Sequence, residues 1–264
     1  TMDPNQQQLL LTSGGAKDKT YIDEVFNTYT YIGNGQERTI TTGIDLAGEG
    51  GLLWFKNRDN SNQANYLMDT TALPQTSSPW YSYPMFSNST TQRGASANGL
   101  KSFNSDGFTI QTDTHCNGNG NKQVAWSFRK APGFFDIISW TRSGSNGPVR
   151  TLSHNLGCVP GFIMLKQTTG TENWITYHRD FASNGYIKLN STDSEQNSSD
   201  ASINSVSATE IVVGADNNRI GSYVAYLFAG GKSTTDKAVD FDGDDYLSMP
   251  VSNSDFDWGA SDSL

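Results

Sequence analysis

Apolar and polar residues alternate along this chain in short runs broken by Gly, Asn and Ser turns, a period that predicts β-strands and no long helix. TYTYIGNG, from Thr28, reads as a strand closing in a Gly-Asn-Gly turn, and ERTITTGIDL as a second alternating strand. In GLLWFKNRD the apolar run Leu52–Phe55 is continuous, which predicts a strand buried on both faces. NSNQ turns the chain and ANYLMD returns it. SDGFTIQTD, the turn CNGNGN and KQVAWSFRKA follow after a long, poorly patterned insertion.

The same order then recurs. FFDIISWTRSGSNG, PVRTLSHNL, GFIMLKQ, WITYHRD, TEIVVGAD and SYVAYLFAG repeat the features of the first half. Val124-Ala125-Trp126 falls on Val224-Ala225-Tyr226, a spacing of 100 residues. Solenoid and propeller repeats run to roughly 20–50 residues, so each copy is read as a full domain. The expected fold is all-β: two tandem antiparallel β-sandwich domains of a duplicated module, with a barrel as the weaker alternative. The expected boundaries are an N-terminal anchoring segment at 1–27, repeats at 28–132 and 133–231, and a linker with the start of a further domain at 232–264.

Tyr21, Ile22, Val25 and Phe26 fall at helical spacing, with Thr20 as the expected cap and Asp23 and Glu24 in the first turn. So short an apolar face needs something to dock on, either the first domain or another chain. The insertion carries Pro74, Pro79 and Pro84 among Trp80, Tyr81, Tyr83 and Phe86. Those aromatics suit a glycan-stacking platform, a subunit contact, or a small core beneath a long loop.

Composition narrows the function. A net charge of −9 and scattered Lys and Arg argue against a nucleic-acid partner. No apolar run approaches the roughly 20 residues that span a bilayer, so no membrane insertion and no signal peptide are expected. Cys116 and Cys158 occupy non-equivalent places and are read as free thiols.

Candidate chemistry is thin. His154, His178 and Cys158 lack the paired spacing of a zinc site. No Gly-x-Ser-x-Gly elbow is present. Asp69 and Asp180, aligned with each other, are read as turn residues, with His178 aligned to Met68. Asp240, Asp242, Asp244 and Asp245 supply oxygen ligands but neither the run nor the terminal Glu of an EF-hand loop. No catalytic residue, metal or cofactor is assigned, and the chain is not expected to be an enzyme.

The phrases TYIGNG, LLWFKNRDN with YLMDT, SDGFTI, NGNG and VAWSFRKA, and their second copies, resemble a repeat module of virion proteins of tailed phages, especially those of marine and cyanobacterial hosts. SGGAKDKTYIDEVF resembles the base of a tail fibre. AVDFDGDDYLSMP is similar to the opening strands of laminin-G or concanavalin-like domains. The resemblance implies a tail-fibre protein, assembled in the host cytoplasm and located in the virion tail. It implies a homotrimer that contacts other tail proteins, adaptor or nozzle, through Tyr21, Ile22, Val25 and Phe26. Host surface glycan would be met by a region beyond this chain. The competing expectations are a glycan-binding module, a polysaccharide-degrading enzyme and a capsid decoration protein.

Overall fold

The period-two alternation resolves into sheets whose strands bury side chains on both faces. The computed structural model describes residues 20–74, 76 and 81–231, with the backbone of Leu9–Leu10. The first module contributes strands β1 (Phe26–Ile32), β2 (Arg38–Thr41), β3 (Gly51–Asn57), β4 (Tyr66–Asp69), β5 (Met85–Phe86), β6 (Leu100–Asn104), β7 (Gly107–Ile110) and β8 (Lys122–Arg129). They form a five-stranded sheet, β1-β8-β3-β4-β5, and a three-stranded sheet, β6-β7-β2.

The second module contributes β9 (Phe135–Arg142), β10 (Arg150–Ser153), β11 (Pro160–Gln167), β12 (Ile175–His178), β13 (Gly185–Lys188), β14 (Gln196–Asn197), β15 (Ile203–Val206), β16 (Glu210–Val213) and β17 (Gly221–Ala229). Its six-stranded sheet runs β9-β17-β11-β12-β13-β14 and its small sheet β10-β16-β15. Strand for strand the order is that of the first module, with β14 added at the edge. All of these pairings are antiparallel. The fold is therefore an all-β, duplicated sandwich.

Three cores follow from the alternation. Leu53, Phe55, Tyr66 and Ala125 face the small sheet of the first module, where they meet Ile40, Phe108 and Ile110. Ile163, Leu165, Ala225 and Leu227 do the same in the second module against Ile211 and Val213. The intervening residues point the other way. Leu52, Leu67 and Met85 of the first module join Phe135, Met164, Trp174, Val224 and Tyr226 of the second in a core that both large sheets share. The run Leu52–Phe55 thus serves two cores, with Leu52, Leu53 and Phe55 all fully buried. Ala125 and Ala225, both fully buried, sit on the central strands β8 and β17, where a small side chain admits close neighbours.

Because of the shared core, the described residues through Gly231 belong to one compact unit, and a second unit begins at Lys232. The hairpin and acidic cluster expected beyond residue 231 lie outside the described residues.

Polar ties cross the shared core. Tyr226 donates to Asp69 Oδ2 at 2.6 Å, and Arg93 pairs with the same carboxylate. Trp174 Nε1 donates to the Phe86 carbonyl at 2.8 Å, and the Arg93 N–H donates to the Thr168 carbonyl at 2.9 Å. Burial, reinforced by the Asp69 charge, pushes the Tyr226 phenol well up. It is therefore a donor at any ordinary pH.

Two sequence alignments shift, that of Met68 by one position and that of Asp69 by two. Leu53 pairs with Met68 and Ile163 with Tyr177, while Leu52 pairs with Asp69 and Phe162 with His178. His178 is thus the counterpart of Asp69, not of Met68. Asp69 Oδ1 does accept from the Thr71 N–H at 2.8 Å, a turn-capping contact. Asp180 lies in the turn directly after its strand, with an exposed side chain. The helix near the N-terminus is a single turn, α1 (Ile22–Val25), capped at Tyr21 and not Thr20. Thr20 is committed to a two-residue pairing with Leu10, and the Glu24 carboxylate accepts from the Tyr21 N–H at 3.0 Å.

Two outcomes test the shared core. Residues 133–231 expressed alone would expose Phe135, Met164, Trp174 and Tyr226, and are expected to self-associate in size-exclusion chromatography where residues 20–231 do not. Tyr226→Phe removes a hydrogen bond to a buried carboxylate and is expected to lower stability by about 1–3 kcal/mol in urea unfolding.

Candidate ligand pocket

At one end of the second sandwich a cavity of about 160 Å³ opens onto the core. Leu165, Ile175, Tyr186 and Tyr223 line it and also belong to that core. Around them stand Glu172, Lys188, Asp216 and Arg219, with amides from Gln167, Asn173 and Asn217. Three loops supply these polar groups: 167–173 after β11, the segment around 188–201 that includes β14, and the 3₁₀ turn Ala215–Asn218 before β17.

Each loop is tied down. Gln167 Nε2 donates to the Ile220 carbonyl at 2.9 Å, and the Thr168 N–H to the Ser222 carbonyl at 2.7 Å. Gly221 has φ +142°, and a Cβ there would stand 2.3 Å from Gln167 Nε2, so this close approach requires glycine. Asn217 Nδ2 donates to the Ala201 carbonyl at 2.7 Å, and Tyr223 donates to the Arg219 carbonyl at 3.1 Å. Tyr223 also stacks flat on Trp140, with ring centroids 5.1 Å apart. Burial pushes the Tyr223 phenol up, opposed by its contact with Arg219, so it stays neutral.

The charges are largely matched: Asp216 pairs with Arg219, and Lys188 with Asp193 at 3.1 Å. Glu172 is exposed at the rim. Behind the rim, Lys166 is fully buried and donates to the carbonyls of Thr90, Gln167 and Gly170 at 3.1, 2.9 and 3.2 Å. It therefore fixes the loop that carries Glu172 and ties it to the first module. Burial brings the Lys166 amine down to about 8, with the Glu172 charge opposing.

The first module fills the corresponding end with rings. Strand register makes Phe55, Tyr66 and Phe86 the counterparts of Leu165, Ile175 and Lys188. Tyr66 stacks on His115 at 4.2 Å and tilts against Phe86 at 5.2 Å. Asp113 binds this plug from one side: its Oδ1 lies 2.8 Å from His115 Nδ1, and its Oδ2 accepts from Ser96 at 2.8 Å and Tyr66 at 3.1 Å. Burial alone would push the Asp113 carboxyl up, but the hydrogen bonds from His115 and Ser96 hold it down. Ser96 bonds the carboxylate and not the imidazole, so the group is not a nucleophile–base arrangement.

The residues singled out in the sequence lie elsewhere. Val25 is fully buried by its own chain, Phe26 is half-buried at 5.0 Å from the Phe128 ring, and Tyr21 and Ile22 are half-buried. Trp80 lies outside the described residues. Tyr81 pairs with Ala97 in a two-residue ladder, Tyr83 is half-buried, and Phe86 belongs to the plug. Tyr81 and Phe86, like Tyr83, are half-buried. His154 is buried, its Nδ1 accepting from the Leu156 N–H at 3.2 Å, and His178 sits at 3.6 Å from Asp180. Among the described residues no three His, Cys, Asp or Glu side chains converge to hold a metal, and both cysteines are free thiols. The pocket residues escaped the sequence reading because they come from separate loops. The signal in the sequence was a difference between copies, DTHCN against the shorter DNN.

A family described as "Domain of unknown function (DUF7483)" matches residues 23–236, a span that includes both sandwiches. No curated protein matches the chain.

The Lys166 amine gives a pH test. The unfolded chain holds this proton to near 10.5 and the folded chain to about 8, so between those values the unfolded state binds more protons and stability rises with pH. Urea unfolding at pH 7.5 and 9.5 is expected to show the stability of the native chain rising relative to that of Lys166→Met, with the raised Cys116 and Cys158 thiols pulling the other way in both.

Proposed function

The chain belongs to the DUF7483 family, and we propose that it is a structural protein of a tailed-phage virion, of tail-fibre type. The observation that best supports this reading is the core shared by the two large sheets. It joins the duplicated sandwiches into one unit with no linker between them, which suits a part that transmits load along an appendage. The resemblance of the repeat phrases to virion modules points the same way. In this reading the N-terminal segment attaches to another tail protein, the double sandwich forms a stalk or shoulder, and the chain assembles as a homotrimer. No catalytic step is assigned.

The pocket favours a second reading, in which the second sandwich is itself a binding module. The two are compatible, since a fibre can carry a site on its shaft.

Deleting residues 1–19 tests the attachment role while sparing Val25 and Phe26, which pack within the chain. The truncated protein is expected to melt like the full chain and to be missing from purified particles by mass spectrometry. Normal incorporation into particles would sink the anchoring assignment. Cryo-electron microscopy of intact virions would distinguish a tail position from a capsid decoration.

A further inference from the structure

We propose that the cavity of the second sandwich binds a neutral saccharide, taking one sugar ring at the end of a chain. The reasoning does not depend on the virion reading, because it concerns the isolated chain.

The first step is the contrast between copies. A duplicated scaffold with no ligand would be expected to close both ends alike. Here the first module closes its end with Tyr66, Phe86 and His115, and the second replaces the first two with Ile175 and Lys188 and has no ring in place of the third. The second module also gains two rings there, Tyr223 in register with Gln123 and Tyr186 with Pro84, yet a cavity remains between them and the surrounding loops have not collapsed into it. They are held open by the ties from Gln167, Asn217 and Lys166. A site prepared in this way has little ordering left to do when a ligand arrives.

The second step is charge. The lining holds two carboxylates, Glu172 and Asp216, and two cations, Lys188 and Arg219. Both cations are already paired with carboxylates, so neither is free to capture a phosphate or a carboxylate ligand. The remaining carboxylate, Glu172, is a hydrogen-bond acceptor at the rim and suits a hydroxyl donor.

The third step is the mixture of surfaces. Leu165, Ile175 and the ring of Tyr186 offer apolar contact beside the Glu172 carboxylate and the amides of Gln167 and Asn173. A pyranose presents the same mixture, with C–H groups on its faces and hydroxyls at its edge. The volume also fits a small group, since pockets for drug-sized ligands run to roughly 300–1,000 Å³.

The test is a titration of the full chain with the methyl glycosides of glucose, galactose, mannose and N-acetylglucosamine, followed by saturation-transfer NMR. Saturable binding of at least one, in the millimolar range or tighter, is expected. Ile175→Tyr, which rebuilds the plug of the first module, is expected to abolish it. Glu172→Gln is expected to weaken it about tenfold, the loss of roughly one charge-assisted hydrogen bond. Glu172 is exposed, so this variant folds even where Ile175→Tyr does not. No saturable binding of any of the four glycosides would overturn the proposal, as would binding unchanged in Glu172→Gln. Displacement of the sugar by free glycine or inorganic phosphate at equal concentration would assign the cavity to a charged ligand and overturn it equally.

Discussion

Everything in this molecule depends on the central strands of the large sheets burying both faces. In an ordinary two-sheet sandwich each strand alternates core with solvent. Here β3, β8, β11 and β17 alternate one core with another, because the face turned away from the small sheet meets the other module. Burying a large apolar side chain contributes about 1.5–3 kcal/mol. Phe135, Trp174 and Tyr226 lie in the shared core, so separating the modules would forfeit a sum comparable with the whole stability of a typical domain. The two sandwiches are therefore covalent neighbours and thermodynamic partners at once.

Apolar burial gives adhesion but little direction, and the polar ties supply the register. Asp69 sits at the end of β4, inside the shared core, where a lone carboxylate would be strongly unfavourable. Tyr226 and Arg93 satisfy it, the first from the second module and the second from the long insertion of the first. The same insertion supplies the Phe86 carbonyl to Trp174 and the Thr90 carbonyl to Lys166. A segment with no strand pattern of its own thus clamps one module onto the other. Sliding the sheets by one residue would cost Asp69 its bond from Tyr226, Lys166 its bond to Thr90 and the Trp174 indole N–H its bond to Phe86.

Much of the scaffold was legible in the sequence because it follows from local rules. The double burial of Leu52–Phe55 was readable from an unbroken apolar run. The equivalence of β8 and β17 was readable from Val-Ala-Trp and Val-Ala-Tyr, where alanine marks a crowded central strand. The face-to-face packing was not readable, because a sequence shows that a strand is buried twice without showing what covers it. The counterpart of Met68 slipped by one position and that of Asp69 by two, for a related reason. Alignment by residue type matched Asp69 with Asp180, and only the pairing of Phe162 with His178 fixes the register. The pocket was illegible because its groups come from loops far apart in the chain.

The duplication also explains why a site would arise in one copy and not both. Positions that face the shared core are constrained by the partner module, and there both copies keep large or apolar residues: Leu52 and Phe162, Trp54 and Met164, Trp126 and Tyr226. The end of each sandwich has no such partner. It needs only to satisfy its own polar groups, and the two modules have done so differently: stacked rings with a buried Asp113 in the first, matched ion pairs with tied loops in the second. Asn117 and Asn218 mark what did not change. The carbonyl of each accepts from a glycine N–H, Gly35 in the first module and Gly147 in the second, and Nδ2 of each donates to the carbonyl of the next residue, Gln36 and Pro148, so each holds the final turn onto the sandwich. With that turn fixed, the residues between it and the sheet are free to vary without loss of the fold. That freedom is the physical condition under which a closed end can become an open one.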